Sequence, residues 1–337
     1  MNHGGNITLA KARYGGETED WLDLSTGINP HAWGGGHYDD LIVENDWMRL
    51  PDTASGEALI AAARTAYEAP QALTIAAAPG TQAALSVLAR LAPEGDAAIV
   101  SPTYSGHLDA WNAAGRSLRT VACLEDAACA STVILVNPNN PDGRLVAPET
   151  LLQFARDLGA RGGLLIVDEA FADATPEASL LPLLDTEPVA VLRSFGKFFG
   201  LAGLRLGFVV AQTPFGKAIE ANLGSWAVSG PTLAIGTAAL RDLDWQKAMR
   251  ERLACERDAL DAMLRAHGLE VLGGTSLFRL VRHDDAAALH AALARRHIWT
   301  RRFQEHPTWL RIGLPGAPSA RDRLAESLAA SLAEIAS

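Results

Sequence analysis

The chain alternates between short unbroken apolar runs and longer stretches in which apolar positions recur every three or four residues. The runs Ala97–Val100, Val133–Val136, Leu164–Val167, Val189–Leu192 and Leu206–Val210 show no polar alternation. Strands of that kind are buried on both faces, as in a parallel sheet covered by helices. Helical periodicity fills the gaps. Ser55–Tyr67 predicts a helix with Ser55 as its N-cap. A second helix starts near Thr81, with Leu85, Leu88 and Leu91 on one face, and a third covers Pro148–Leu158. After about residue 235 the pattern changes to amphipathic helices at Trp245–Leu264, Ala286–Arg296 and Ala320–Ile335, with short strands at Ser276–Val281 and Trp309–Ile312. The expected fold is α/β: a mostly parallel central sheet with helices on both faces, plus a smaller α+β domain. Residues 1–45, rich in Gly, Asn and His, read as an extended arm with turns. With 337 residues the chain exceeds the usual single core, so we expect an arm over 1–45 that contributes to the small domain and the active site, a large domain over 46–234 and a small domain over 235–337.

Composition narrows the function classes. Apolar residues make up 48% and charged residues 20%, as in a globular protein. A net charge of −10 and a pI near 5.4 argue against a nucleic-acid partner, while leaving room for a local arginine pocket that binds an anion. Cys123, Cys129 and Cys255 have no CxxC spacing, so neither disulfides nor a metal site is expected, and a reducing cytoplasm fits. The first residues lack the apolar core of a secretory signal, and no stretch reaches the ~20 apolar residues of a membrane span.

In such sheets ligands bind at the carboxyl ends of the strands, and the unusual residues of this chain gather there. Ser194-Phe-Gly-Lys197-Phe-Phe-Gly follows an apolar run. A lysine among phenylalanines and glycines can be desolvated into an amine nucleophile, although alone it reads as a surface charge. Asp168 ends the run Leu164–Val167, where a buried carboxylate needs a cation or a hydrogen-bond donor; a helix N-cap is the plainer reading. Glu169 reads as solvent-facing or structural. Asn137-Pro-Asn-Asn140-Pro-Asp-Gly143 is a turn by composition, and an Asn there can also donate to a ligand oxygen. Pro79-Gly80-Thr81-Gln82 opens a helix and offers an anion site. In Ser101-Pro-Thr-Tyr104, the Tyr104 ring either stacks on a planar ligand or fills the core.

Taken in order, P-G-T-Q, P-T-Y, N-P-N-N-P-D-G, D-E-A-F, S-F-G-K and G-L-R-L-G resemble the fold-type I (class I/II) pyridoxal-phosphate aminotransferase superfamily, especially its histidinol-phosphate aminotransferase branch. The match covers roughly residues 20–315. The resemblance implies pyridoxal 5'-phosphate as cofactor, joined to Lys197, with Asp168 pairing with the ring nitrogen. It implies that Asn140 bonds the ring hydroxyl and that Tyr104 stacks on the ring. It assigns Gly80, Thr81, Ser194 and Arg205 to the phosphate, with Gln82 beside them; a guanidinium suits phosphate because it binds bidentately. It also implies a homodimer.

Two positions depart from the aminotransferase pattern. Phe171 stands where those enzymes usually carry a Tyr that donates to the ring oxygen, and Leu50 stands where a Tyr usually reaches the partner's cofactor phosphate. The N-terminal His3-Gly-Gly-Asn6, followed by Leu22-Asp-Leu-Ser-Thr-Gly-Ile-Asn29-Pro30, resembles instead the L-threonine-O-3-phosphate decarboxylases of cobalamin biosynthesis. That resemblance implies decarboxylation of L-threonine O-3-phosphate to (R)-1-amino-2-propanol O-2-phosphate and CO2; histidinol-phosphate transamination is the alternative. A non-catalytic regulator domain that binds the same cofactor is disfavoured by the absence of a basic extension. By resemblance Arg311, in Trp309-Leu-Arg-Ile-Gly313, binds the substrate carboxylate, with Arg301 as its neighbour. His3 and Asn29 are candidates for the substrate phosphate, or for closing the arm over it.

Overall fold

The protein is described here from a computed structural model covering residues 4–336. Its chain groups into two units. One comprises the N-terminal segment through His31, Pro141–Gly143 and Ala248 onward; the other comprises Ala32–Asn140 and Arg144–Lys247. These bounds differ from the expected breaks at 45 and 234. The segment from Ala32 folds onto the larger unit, where the Trp33 amide donates to Phe199 O at 2.9 Å and its indole to Asp242 Oδ2 at 3.0 Å. At the other end, the expected break at 234 falls inside helix Gly230–Arg241, and the unit boundary lies further on, within helix Leu243–Ala266.

The larger unit is built on a seven-stranded sheet. Its strands run, edge to edge, Leu73–Ala78, Gly207–Gln212, Val189–Ser194, Leu164–Asp168, Thr132–Val136, Ala97–Val100 and Arg119–Val121. Gly207–Gln212 is antiparallel to both of its neighbours, and the other pairings are parallel. Both faces of the central strands are buried, which is why their sequences are continuously apolar. On one face Ile99, Ile134, Ile166, Leu192 and Val209 pack with Leu85, Leu88 and Trp111. Helix Pro148–Gly159 buries Leu151, Ala155 and Leu158, three residues spaced along a single stripe.

Local chemistry sets the starts of two helices. The predicted helix at Ser55 begins at Thr53, because the Asp52 carboxylate accepts the Ser55 N–H at 2.7 Å and so caps the first turn. Within the expected extended arm, Ile7–Tyr14 is an α-helix, capped by Asn6 Oδ1 accepting from Leu9 N at 3.0 Å. Ala10 of that helix packs with Trp21, Ala294 and Trp299, so tertiary burial stabilises a segment whose own periodicity is weak.

The smaller unit carries an antiparallel sheet ordered Arg301–Arg302, Trp309–Gly313, Phe278–Arg282 and Glu270–Thr275, and a parallel pair of Leu22–Asp23 with Ile298–Trp299. Among the described residues, no helix is long and apolar enough to cross a membrane.

His290 is buried on helix Ala286–Arg295, with Nδ1 2.9 Å from Thr300 Oγ1 and its ring against Trp299. Burial, then the charges of Arg302 and Arg13, pull its pKa down to about 4. In the unfolded chain it titrates near 6.5, so its neutral form contributes stability above about pH 6.5, and that stability is lost as pH falls toward 4. The urea midpoint should therefore drop between pH 7 and 4, and the slope should flatten in His290→Gln. An unchanged slope in that variant would remove His290 from the acid response.

Candidate active site

Strand Val189–Ser194 passes directly into one helical turn, Phe195–Phe198, and that turn carries Lys197. Phe195, Phe198 and Phe199 are at most 1% exposed, and Phe199 stacks on Phe195 at 4.4 Å and on Trp245 at 5.7 Å. These rings anchor the backbone on either side, while Lys197 itself stays half-buried, its Nζ 5.8 Å from the centre of the Phe171 ring. Phe171 is buried and brings no hydroxyl to this point.

Asp168 is the last residue of its strand and is 4% exposed. Its Oδ1 accepts the Ala170 N–H at 3.0 Å, a turn contact rather than a helix cap. Its Oδ2 lies 2.9 Å from Nε2 of His107, which is fully buried on helix Gly106–Ala113. His107 Nδ1 has no partner among the described residues, which assigns the ring proton to Nε2, donated to Asp168. The sequence reading missed His107. Its signal was a polar residue in register with Ala110 and Trp111, the buried positions three and four residues on.

At the same sheet end, Ala78, Gly207 and Ser194 are neighbours in register on three adjacent strands. Gly80 has φ 85°, and a Cβ there would lie 2.6 Å from Arg205 Nη2; glycine is what lets the guanidinium lie over the start of helix Thr81–Leu91. A Cβ on Gly207 would lie 2.7 Å from Thr81 N. Ser194 is buried at its strand end. The predicted anion binders Gly80, Thr81, Ser194 and Arg205 therefore gather around one helix start. Tyr104 reaches the same helix, its hydroxyl donating to Gln82 Oε1 at 2.8 Å, with its ring standing edge-on to His107 at 6.2 Å.

The three asparagines of the N-P-N-N turn divide their tasks. Asn137 is buried and bonds the backbone of Val146 and Ala178, and Asn139 accepts from Thr103 Oγ1 and donates to Pro102 O. Both are structural. Asn140 is half-buried and remains the ligand candidate.

Glu169 is fully buried, which excludes the solvent-facing reading. Its carboxylate accepts from Ser179 Oγ at 2.7 Å, Leu180 N at 2.7 Å and Arg193 Nη1 at 3.0 Å. Arg193 also pairs with buried Asp173 through Nη2, and its guanidinium lies 4.3 Å over the Tyr67 ring. Burial raises the Glu169 pKa, against the pull of Arg193. Burial also opposes the charge on Arg193, but Asp173 and Glu169 outweigh it and hold that pKa above the ordinary value.

A second cluster is contained in the smaller unit. Arg301 stands opposite Arg311 across the pairing of Arg301–Arg302 with Trp309–Gly313. Arg311 is 7% exposed, lies 4.9 Å over the Phe278 ring and donates from Nη2 to Ser25 O at 2.6 Å. Burial, then Arg301, depress the Arg311 pKa, and Asp23 opposes them. Two guanidiniums in register form a site whose electrostatic cost an incoming anion relieves. Asn29 is buried, and its Oδ1 accepts from His31 N at 2.9 Å, so it braces its own turn. His3 lies outside the described residues.

Residues 20–328 match the family Aminotransferase class I and II. The chain is 46% identical over 331 residues to the threonine-phosphate decarboxylase of Sinorhizobium sp. and 42% identical over 331 residues to that of Pseudomonas aeruginosa, each alignment spanning 97% of both chains. Several histidinol-phosphate aminotransferases align at 30–36% identity over 44–76% of this chain. The histidinol-phosphate aminotransferase of Sinorhizobium meliloti, solved in complex with pyridoxal-5'-phosphate, shares the fold with a TM-score of 0.81 at 23% identity, covering 97% of this chain and 94% of that one.

Arg193→Met would leave Glu169 and Asp173 buried without their cation and should cost about 3–5 kcal/mol in chemical denaturation. A midpoint equal to that of the parent would mean that the trio contributes nothing to stability.

Proposed function

The chain belongs to the aminotransferase class I and II family, and within it we propose that this protein is a pyridoxal-phosphate-dependent decarboxylase acting on L-threonine O-3-phosphate. The observation that carries this reading is identity of 46% and 42% across 97% of the chain to threonine-phosphate decarboxylases, whereas the histidinol-phosphate aminotransferases align over shorter stretches. Phe171 supports it, since the hydroxyl expected of a transaminase is absent beside Lys197. A role in cobalamin biosynthesis follows from the same resemblance. A cytoplasmic setting is supported by three free cysteines.

The residues present fit the cofactor. Asp168 is a buried carboxylate with which no Lys or Arg pairs among the described residues, so a protonated ring nitrogen suits it. Gly80 and Gly207 leave open the space beside the first helical N–H and the Arg205 guanidinium, as a phosphate requires. Lys197 would hold the cofactor covalently, Asn140 its ring oxygen, Tyr104 its ring face, and Gly80, Thr81, Ser194 and Arg205 its phosphate. Bound there, pyridoxal phosphate supplies a carbonyl for the substrate amine and a cationic ring that accepts the electron pair left when CO2 departs.

The protein's own groups do the rest. The Asp168 carboxylate, oriented by His107 and the Ala170 amide, keeps a proton on the ring nitrogen. Arg311, with Arg301 beside it, binds the substrate carboxylate. Lys197 Nζ, once released by the substrate amine, delivers the proton that replaces CO2 on Cα. The product is (R)-1-amino-2-propanol O-2-phosphate. A homodimer is supported by the exposed apolar side chains of Val43, Trp47, Met48, Leu50 and Trp226, each more than 60% exposed in the single chain.

Incubation with L-threonine O-3-phosphate should release CO2 stoichiometrically with the amine product. Amino transfer to 2-oxoglutarate from histidinol phosphate without CO2 release would reverse the assignment. Lys197→Ala should lose the protein-bound chromophore that borohydride fixes in the parent, and a reducible adduct persisting in that variant would sink the Lys197 role. Analytical ultracentrifugation should find a dimer, shifted toward monomer by Trp47→Asp; a monomeric parent would refute the dimer.

A further inference from the structure

The segment Leu22–Thr26 is threaded between two strands of the smaller unit. Leu22 N donates to His297 O at 2.9 Å, Leu24 N to Trp299 O at 2.8 Å, and Gly313 N to Leu24 O at 2.8 Å. Ser25 therefore sits where the strand bearing Arg311 ends, and it is fully buried. Every polar atom of Ser25 is engaged. Its carbonyl oxygen takes the Nη2–H of Arg311 at 2.6 Å. Its N–H and its hydroxyl both donate to Asp23 Oδ1, at 2.9 and 2.6 Å. The hydroxyl oxygen then accepts the N–H of Gly5 at 2.7 Å.

The last of these bonds reaches the N-terminal arm. The residue before it, Gly4, is pressed so closely on Ser25 that a Cβ there would lie 2.3 Å from Ser25 O and 3.0 Å from its Oγ. No side chain fits that gap without moving one of the two segments. On the other side, Asn6 closes the arm by capping helix Ile7–Tyr14. Gly4–Asn6 is thus a short strap, held at one end by Ser25 and at the other by a helix.

We propose that Ser25 is a positioning residue coupling the Arg311 guanidinium to the N-terminal arm, so that an anion bound by Arg311 tightens Gly4–Asn6 onto Ser25. This rests on the reading of Arg311 as the carboxylate binder. One peptide unit carries both contacts: a guanidinium drawn toward an anion shifts the Ser25 carbonyl, and the carbonyl is rigidly joined to the Cα that bears the Oγ. Asp23 stiffens the link, because its carboxylate holds both the amide and the hydroxyl of Ser25. The coupling must be reciprocal, so an arm latched on Ser25 raises affinity for the carboxylate by the same factor as the carboxylate raises the latching. Ser25 touches no reacting atom in this scheme; its influence falls on KM rather than on kcat.

The test follows hydrogen exchange at the Gly5 amide in the cofactor-loaded enzyme. 3-Phosphonopropionate, which carries a carboxylate and a phosphonate but no amine, should slow Gly5 exchange several-fold, and ethylphosphonate, lacking the carboxylate, should not. Ser25→Ala should speed Gly5 exchange about tenfold, abolish its response to 3-phosphonopropionate, and raise KM about fivefold with kcat within about twofold, the size of one lost hydrogen bond. Asp23→Asn, which keeps an oxygen acceptor, should retain most of the Gly5 protection. Gly4→Ala perturbs the strap while keeping the Ser25 hydroxyl, so it carries the test should Ser25→Ala misfold, with the same rise in KM expected. Gly5 exchange indifferent to 3-phosphonopropionate in the parent, or parental KM in both Ser25→Ala and Gly4→Ala, overturns the coupling. A parental KM in Arg311→Ala sinks the carboxylate assignment instead, and Gly5 exchange in Ser25→Ala still reads the latch.

Discussion

A single guanidinium holds the strand ends of the larger unit in place. Arg193 is buried between Glu169 and Asp173 and under the Tyr67 ring, one residue before Ser194 and four before Lys197. Glu169 follows Asp168 directly, so the ion pair clamps the ends of two adjacent strands, Leu164–Asp168 and Val189–Ser194, to each other. Burying three charges is expensive, and their mutual attraction recovers that cost only if the geometry holds. The consequence is rigidity where it matters: Asp168 and Lys197 cannot drift apart without breaking the pair.

From that clamp the rest of the site follows by register. A parallel sheet brings residues distant in sequence side by side at its carboxyl edge, and the antiparallel strand Gly207–Gln212 adds its amino end to the same edge. Ala78, Gly207 and Ser194 meet there, with Gly80, Thr81 and Arg205 in the adjoining turns. Turns that would be ordinary in isolation gather at one helix start because strand pairing leaves them no other place to go. Buried phenylalanines play a comparable part around Lys197. They exclude water and fix the backbone, leaving one amine half-exposed.

Around Lys197, what is absent matters as much as what is present. Phe171 offers Lys197 a ring without a hydroxyl, while His107 bonds the Asp168 carboxylate. In the smaller unit, Arg301 and Arg311 stand opposite each other in strand register, and Arg311 is buried against the Phe278 ring. Ser25 then makes the placement of Arg311 depend on the N-terminal segment, tying anion recognition to residues far away in sequence.

Much of this was legible in the order of residues. Continuous apolar runs located five strands of the large sheet, because strands buried on both faces must be apolar throughout. The motif series around Asn140, Asp168, Lys197 and Arg205 pointed to the cofactor chemistry, because turns at strand ends keep their glycines and charges close in sequence. The edge strands Leu73–Ala78 and Arg119–Val121 were not found, one being largely alanine and the other polar and exposed. Helix Ile7–Tyr14 escaped for a related reason: its stability comes from Trp21 and Trp299, not from its own periodicity. Asp52 rather than Ser55 caps the next helix, a choice made by backbone direction. His107 facing Asp168, Glu169 and Asp173 closing on Arg193, and Ser25 lying under both Arg311 and Gly5 were decided by tertiary structure alone. Each is a contact between residues whose spacing carries no period, and only the three-dimensional path of the chain brings such groups within hydrogen-bond reach. The sequence by itself determined the elements and the reactive residue types; the fold decided which polar groups meet, because burial forces each of them to find a partner wherever the packing provides one.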